Sequence, residues 1–295
     1  MPYVTTKDEI KLFYEETGDG WPVIFVHEFA GDVRSWEPQV RYFSRRYRCI
    51  NFAARGFLPS DVPDSPDMYS QENARDDILA VLDGLKIEKA HIVGLSMGGF
   101  ATLHFGFTYP DRASALVVAG AGYGAGESAG EQFRLETAEA AARMESETMA
   151  KFGKSYAVGP TRVQLQNKDP RGWKEFEEQL CEHSSLGSAN TMRGVQGRRP
   201  SLYDLEPQMN EMLTPTLILN GDEDDPCLDI GLFMKRHIRS SGLVLLPQTG
   251  HASNLEEPAL FNQFVDDFFH QVESGRWQLR DLRSMTSSII SAKDQ

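Results

Sequence analysis

The 295-residue chain is poor in cysteine, with only Cys49, Cys181 and Cys227, and an odd count leaves at least one thiol unpaired in a monomer. Their separation excludes a paired metal-ligand spacing, and free thiols fit a reducing compartment, so a cytoplasmic location is expected. Met1 to Asp8 contains no apolar targeting core, and no apolar run reaches the ~18 residues a membrane span needs. Basic charge is also scarce. Thirty Lys and Arg stand against 43 Asp and Glu, a formal net charge of −13. The pairs Arg45-Arg46 and Arg198-Arg199 are too short to offset it, which argues against nucleic acid and anionic membranes as partners. Internal repeats, low-complexity tracts and inter-domain linkers are absent from the sequence. What remains, at 40% apolar residues, is enough to bury a large core.

Short apolar runs alternate with helical patterns. Val4 to Thr6 and Ile10 to Thr17 read as a hairpin with its turn at Lys7-Asp8-Glu9. Val23 to Val26, Cys49 to Phe52, His91 to Val93, Ala115 to Ala119, Leu217 to Leu219 and Leu243 to Leu246 read as further strands. Glu72 to Leu85 and the phenylalanine-rich Pro258 to Gln271 read as helices. The alternation predicts an α/β fold with a mostly parallel, doubly wound sheet of about eight strands. From Gly120 to Thr214 the pattern changes: Gly120 to Gly126 reads as a flexible hinge, followed by helix-favouring stretches such as Glu131 to Lys151 and Trp173 to Glu182.

Chemistry concentrates in three places. Gly94-Leu95-Ser96-Met97-Gly98-Gly99 follows a strand and opens a helix. A chain turning that sharply needs residues almost without side chains two before and two after the serine, and it leaves the hydroxyl exposed beside the helix's free N–H groups. A serine hydroxyl needs a base, and the base an orienting acid. Gly250-His251-Ala252 follows a strand, and the acidic turn Gly221 to Pro226 follows another. Within that turn Asp224 and Asp225 both stand as candidate acids.

These segments resemble the α/β-hydrolase superfamily, of the kind with a helical cap. Gly94 to Gly99 matches its nucleophile elbow, Asn220 to Pro226 its acid loop, and Gly250 to Pro258 its histidine loop with a trailing Leu-Glu-Glu-Pro. Ala54 to Asp61 matches its Arg-Gly-x-x-x-Ser-Asp loop, and His27 to Gly31 its oxyanion loop. The resemblance covers about residues 5 to 272 and implies the α/β-hydrolase fold with an inserted helical cap: core 1–120 and 214–275, cap 121–213, tail 276–295. It implies Ser96, Asp224 and His251 as catalytic residues, with the N–H groups of Met97 and Phe29 as the oxyanion hole. His27 would brace the oxyanion loop, and His91 reads as structural. One departure stands out: Glu28 replaces the family's usual glycine, placing a carboxylate near developing negative charge. Glu28, Phe29, Trp36, Met97 and Phe100 are the candidate substrate-binding residues. In the tail, Leu282, Met285 and Ile289 fall at helical spacing after Trp277; packing on the core is expected over a dimer arm, and disorder is expected at the very end.

The expected function is therefore a serine hydrolase that cleaves carboxylic esters of small or medium-sized substrates through an acyl-enzyme on Ser96. No cofactor or metal is implied. The partner is a small-molecule ester or lactone, and the protein a monomer or homodimer. An enol-lactonase, a carbon–carbon hydrolase of ring-cleavage products and a non-catalytic ligand-binding protein are the rival readings. The family's carbon–carbon hydrolases typically carry Asn before the serine, where this chain has Leu95.

Overall fold

Eight strands form where the apolar runs lie, each a little longer than its run because backbone pairing continues into flanking residues. They are β1 (Tyr3–Thr5), β2 (Lys11–Thr17), β3 (Trp21–Val26), β4 (Tyr47–Phe52), β5 (Ala90–Leu95), β6 (Ala113–Ala119), β7 (Thr216–Gly221) and β8 (Ser241–Leu246). This is a computed structural model, and it describes residues 2–285, without the side chains of residues 127–129. The strand order is β1-β2-β4-β3-β5-β6-β7-β8. β1 and β2 pair antiparallel, as do β2 and β4; every other pairing is parallel. Central β5 is buried along its whole length, as a strand covered on both faces must be.

Both faces are covered by helices. α1 (Glu37–Phe43), α2 (Gln71–Gly84) and α3 (Met97–Thr108) occur in the first half. The Ser70 hydroxyl caps α2 by accepting from the Asn73 N–H at 3.0 Å, which explains the sharp helix start. Between β6 and β7 the described residues are helical or irregular: α4 (Glu127–Glu147), α5 (Met149–Ala157), α6 (Val163–Lys168), α7 (Pro170–Cys181), α8 (Ser185–Thr191) and α9 (Glu206–Glu211). The last half adds α10 (Asp225–His237), α11 (Ser253–Glu256) and α12 (Pro258–Glu273). One apolar cluster packs α2, α3 and α10 on one sheet face, and a second packs α1 and α12 on the other. A third joins α5, α7 and α8 to Phe29 and Phe57 above the sheet's carboxyl edge.

The chain leaves β3 for β4 on one side and returns to β5 on the other. A topological switch point therefore opens between β3 and β5, where α/β sheets bind their ligands. Val26 of β3 lies in register with Gly94 of β5, so the loops that follow the two strands emerge side by side.

Three expectations are corrected. Gly120 to Gly126 is no loose hinge: Ala121 and Ala125 are buried, and the Gly120 N–H donates to Leu219 O and to Asn220 Oδ1 at 3.0 Å. The expected helix over 131–151 breaks at Thr148, whose φ of +68° no α-helix accommodates. In the tail, Trp277 stacks edge-on against Phe268 and donates to Ser240 O, but Leu282 and Met285 are exposed because the chain has already left the sheet's flank. Ile289 lies outside the described residues. Among the described residues no helix is long and apolar enough to cross a membrane.

Buried histidines give the fold an acid limit. Burial lowers His27 and His91 and pulls His104, whose Nε2 is enclosed without a partner, down to about 4 from an ordinary 6.5. In that interval the unfolded chain binds more protons than the folded one, so stability falls as pH drops from 6.5 toward about 4. The melting temperature should decline between about pH 7 and pH 5, and His104→Leu should decline less. Parallel melting curves would count against a neutral His104.

Candidate active site

Ser96 stands at the carboxyl end of β5 and is the one partly exposed residue in the buried run from Ala90 to Phe100. Its backbone takes φ +54° and ψ −115°, a strained conformation for a residue with a Cβ. Strain of this kind persists only where the surroundings hold it. Here the Ser96 N–H donates to Ala119 O at 2.8 Å, and the Ser96 carbonyl accepts from the Phe100 N–H at 2.9 Å. A Cβ at Gly98 would collide with the Val26 carbonyl, and one at Gly94 with the Gly98 carbonyl, so the turn closes only with glycine at both positions.

His251 and Asp224 reach the same edge from the loops after β8 and β7. Asp224 Oδ2 lies 2.8 Å from His251 Nδ1, and both residues are buried. Burial pushes the Asp224 carboxyl up, but hydrogen bonds from His251, Cys227 and Tyr123 outweigh it, so the carboxyl sits below its ordinary value. An ionised carboxylate only accepts, so Nδ1 carries a proton, and in the neutral ring Nε2 is then the acceptor. Asp225 is exposed and begins α10, away from the imidazole. The Tyr123 ring stands edge-on to His251 at 5.1 Å. Glu256, from the trailing Leu-Glu-Glu-Pro, holds the histidine loop from below: its carboxylate accepts from the Gly250 N–H at 2.5 Å and the Ala252 N–H at 3.0 Å. Nothing in the motif's sequence marks the glutamate for this task.

The oxyanion loop is tied at several points. His27 Nδ1 donates to Glu28 O at 2.7 Å while Nε2 accepts from the Ala54 N–H at 3.0 Å, which requires the neutral ring that burial favours. Among the described residues neither the Phe29 N–H nor the Met97 N–H has an internal acceptor. The Glu28 carboxylate points away from the cavity and pairs with Arg162. Both side chains are buried, and the Arg162 guanidinium lies over the Tyr156 and Phe176 rings at 5.6 and 4.9 Å. The charge that replaces glycine is thus neutralised by a residue 134 positions away.

A cavity of about 370 Å³ holds Ser96 and His251 in its wall. Of the expected substrate-binding residues only Phe29 lines it. Trp36 is on the far side of the sheet, between Phe25 and Phe261, because the short 3₁₀ turn Val33–Trp36 before α1 folds under the strands. Phe100 and Met97 point into apolar clusters beneath and beside the cavity, and Glu28 faces Arg162. The lining comes instead from the helical segment: Phe133, Phe152, Tyr156, Met192 and Arg199. Asp224, Cys227 and His251 place potential ligand atoms within 4.8 Å of one another. Burial holds the Cys227 thiol protonated and Nδ1 of His251 is committed to Asp224, so the group acts as a hydrogen-bond network.

The family model described as "alpha/beta hydrolase fold" matches residues 22–258. Among curated proteins, 3-oxoadipate enol-lactonase 1 of Acinetobacter baylyi is 27% identical over 258 residues, covering 85% of this chain and 89% of that protein. The 2-hydroxy-6-oxo-6-phenylhexa-2,4-dienoate hydrolase of Comamonas testosteroni is 28% identical over 279 residues, covering 91% and 95%. Among solved structures, a thermophilic esterase from Thermogutta terrifontis, malate bound, superposes with a TM-score of 0.82 at 25% identity, covering 92% of this chain and 98% of that one. The enol-lactonase from Burkholderia xenovorans superposes with a TM-score of 0.79 at 22% identity, covering 91% and 100%, a likeness of fold.

Proposed function

The chain belongs to the alpha/beta hydrolase family, and from that premise we propose that it is a serine esterase working through an acyl-enzyme on Ser96. The observation that carries this reading is the 2.8 Å contact between His251 and Asp224 at the wall of the cavity that also holds the strained Ser96. His251 Nε2 takes the Ser96 proton as Oγ attacks the ester carbonyl, and Asp224 stabilises the imidazolium that forms. The N–H groups of Met97 and Phe29 receive the oxyanion, each such donor contributing about 3 kcal/mol in comparable sites. His251 then protonates the departing alcohol, and a water activated by the same nitrogen releases the acid. The helices between β6 and β7 act as a cap that excludes bulk water and shapes the substrate pocket.

A second reading, lactone opening, uses the same acyl chemistry and is favoured by the likeness to the Acinetobacter baylyi enol-lactonase. Rates on aliphatic p-nitrophenyl esters of graded length, set against rates on simple lactones, separate the two. Carbon–carbon cleavage is less well supported, since Leu95 stands where those enzymes typically have Asn.

The acid's identity gives a direct test. Asp224→Asn leaves the imidazole without its orienting charge and should reduce kcat by about 10⁴-fold. Asp225→Asn, at an exposed position, should stay within about twofold of wild type. Equal losses in the two variants, measured on one ester, would overturn the assignment.

A further inference from the structure

Arg199 is a cation in the cavity wall without a counter-charge. Its guanidinium donates to Gln196 Oε1 and to Tyr123 O at 2.7 Å, and lies flat over the Phe100 ring at 3.6 Å, with Phe133 at 5.1 Å. These contacts are two neutral acceptors and two aromatic faces. Among the described residues no carboxylate forms an ion pair with it, whereas the cavity's other arginine, Arg143, is paired with Glu147. Glu136 and Glu139 also line the cavity, but both are exposed on α4.

The position is close to the chemistry. Phe100, beneath the guanidinium, is four residues after Ser96, one helical turn along the same face of α3. Tyr123, whose carbonyl Arg199 holds, presents its ring to His251. Rings and backbone fix the guanidinium while leaving N–H groups uncommitted, since it carries five donors and two are in use. A half-buried charge of this kind is costly unless something neutralises it, and desolvation pulls this guanidinium down to about 9.

We propose that Arg199 is a specificity-determining residue that binds a carboxylate on the substrate, so that the enzyme acts on esters or lactones of short dicarboxylic or oxo acids. The proposal rests on the serine-hydrolase reading for its reaction, but the anion site stands apart from Ser96. In the bound complex the substrate's distal carboxylate completes an ion pair with the free N–H groups, while the reacting carbonyl lies against Ser96. Planar, paired donors suit a carboxylate better than a neutral hydroxyl would.

The test compares mono-p-nitrophenyl glutarate with p-nitrophenyl pentanoate, which has the same chain length without the charge. Wild type should favour the glutarate ester at least about 10-fold in kcat/KM. Arg199→Met should lower kcat/KM on that ester about 10- to 100-fold, chiefly through KM, and lower it on the neutral ester by a clearly smaller factor. Arg199→Lys should recover part of the loss. Equal wild-type rates on the two esters, or an equal loss on both in Arg199→Met with Arg199→Lys no better, would overturn the proposal. Calorimetric titration with glutarate separates this failure from failure of the hydrolase reading. Binding by wild type that disappears in Arg199→Met supports the anion site even if Ser96 takes no fluorophosphonate label; indistinguishable titrations of the two proteins overturn it even if Ser96 is labelled.

Discussion

Ser96→Ala should lower kcat on p-nitrophenyl esters by about 10⁴- to 10⁶-fold and abolish covalent labelling by a fluorophosphonate. The size follows from the division of labour in the site. Without the hydroxyl no acyl-enzyme forms, and what remains is the residual rate from substrate binding and from the unpaired Phe29 and Met97 N–H groups. The protein should remain folded, because the bonds that hold the turn, Ser96 N–H to Ala119 O and Phe100 N–H to Ser96 O, are backbone ones that do not depend on the hydroxyl. Circular dichroism and a melting curve check that point. The effects of Ser96→Ala and His251→Ala should not add, since the two groups act in one proton transfer. Intact-protein mass spectrometry after fluorophosphonate treatment gives the clearest result: a wild-type adduct that persists in Ser96→Ala would place the nucleophile elsewhere.

Arg162→Met should destabilise the protein by about 3 to 5 kcal/mol, because it strands the Glu28 carboxylate in a site that excludes water. Glu28→Gln should be costly for the mirror-image reason, leaving Arg162 charged among Tyr156 and Phe176. The double variant should lose much less than the sum, since an apolar and a neutral group of similar size need no counter-charge. Urea unfolding of the four proteins measures the coupling directly. If the single losses simply add, the pair does no joint work and the two charges are satisfied separately.

The sequence made the framework legible because buried strands announce themselves. Ile92-Val93 and Leu116 to Ala119 are short runs of apolar, β-favouring residues, and glycines flanking a serine after such a run leave few geometries. The chain order of Ser96, Asp224 and His251 was readable for the same reason: each follows a strand that ends at one edge. The cap and the pocket were not. Thr148 carries no mark of the positive φ that splits α4 from α5, and α8, in which Ser, Gly, Asn and Thr outnumber Leu186 and Ala189, is a helix that tertiary contacts impose on weak propensity. Trp36 looked like a pocket residue because it is large and close to the oxyanion loop in sequence, yet the chain turns it under the sheet. Glu28 looked like an obstacle to catalysis because its partner enters from another element entirely. Arg199 sat in view only as half of an Arg-Arg pair, with nothing to distinguish a cavity wall from a surface.

Phe29 has two attachments. Its N–H has no acceptor among the described residues, while its ring packs between Phe57, at 6.3 Å, and Tyr156 of α5, at 6.2 Å. On the proposed mechanism, in which this N–H receives the oxyanion and the helices between β6 and β7 act as the cap, the two cannot be redesigned separately. Transplanting a relative's lid to widen the range of acceptable molecules would remove Tyr156 and Arg162 together, and with them the supports that aim this amide. Such chimaeras should bind new compounds more readily than they convert them, until the loop from His27 to Gly31 is exchanged along with the lid.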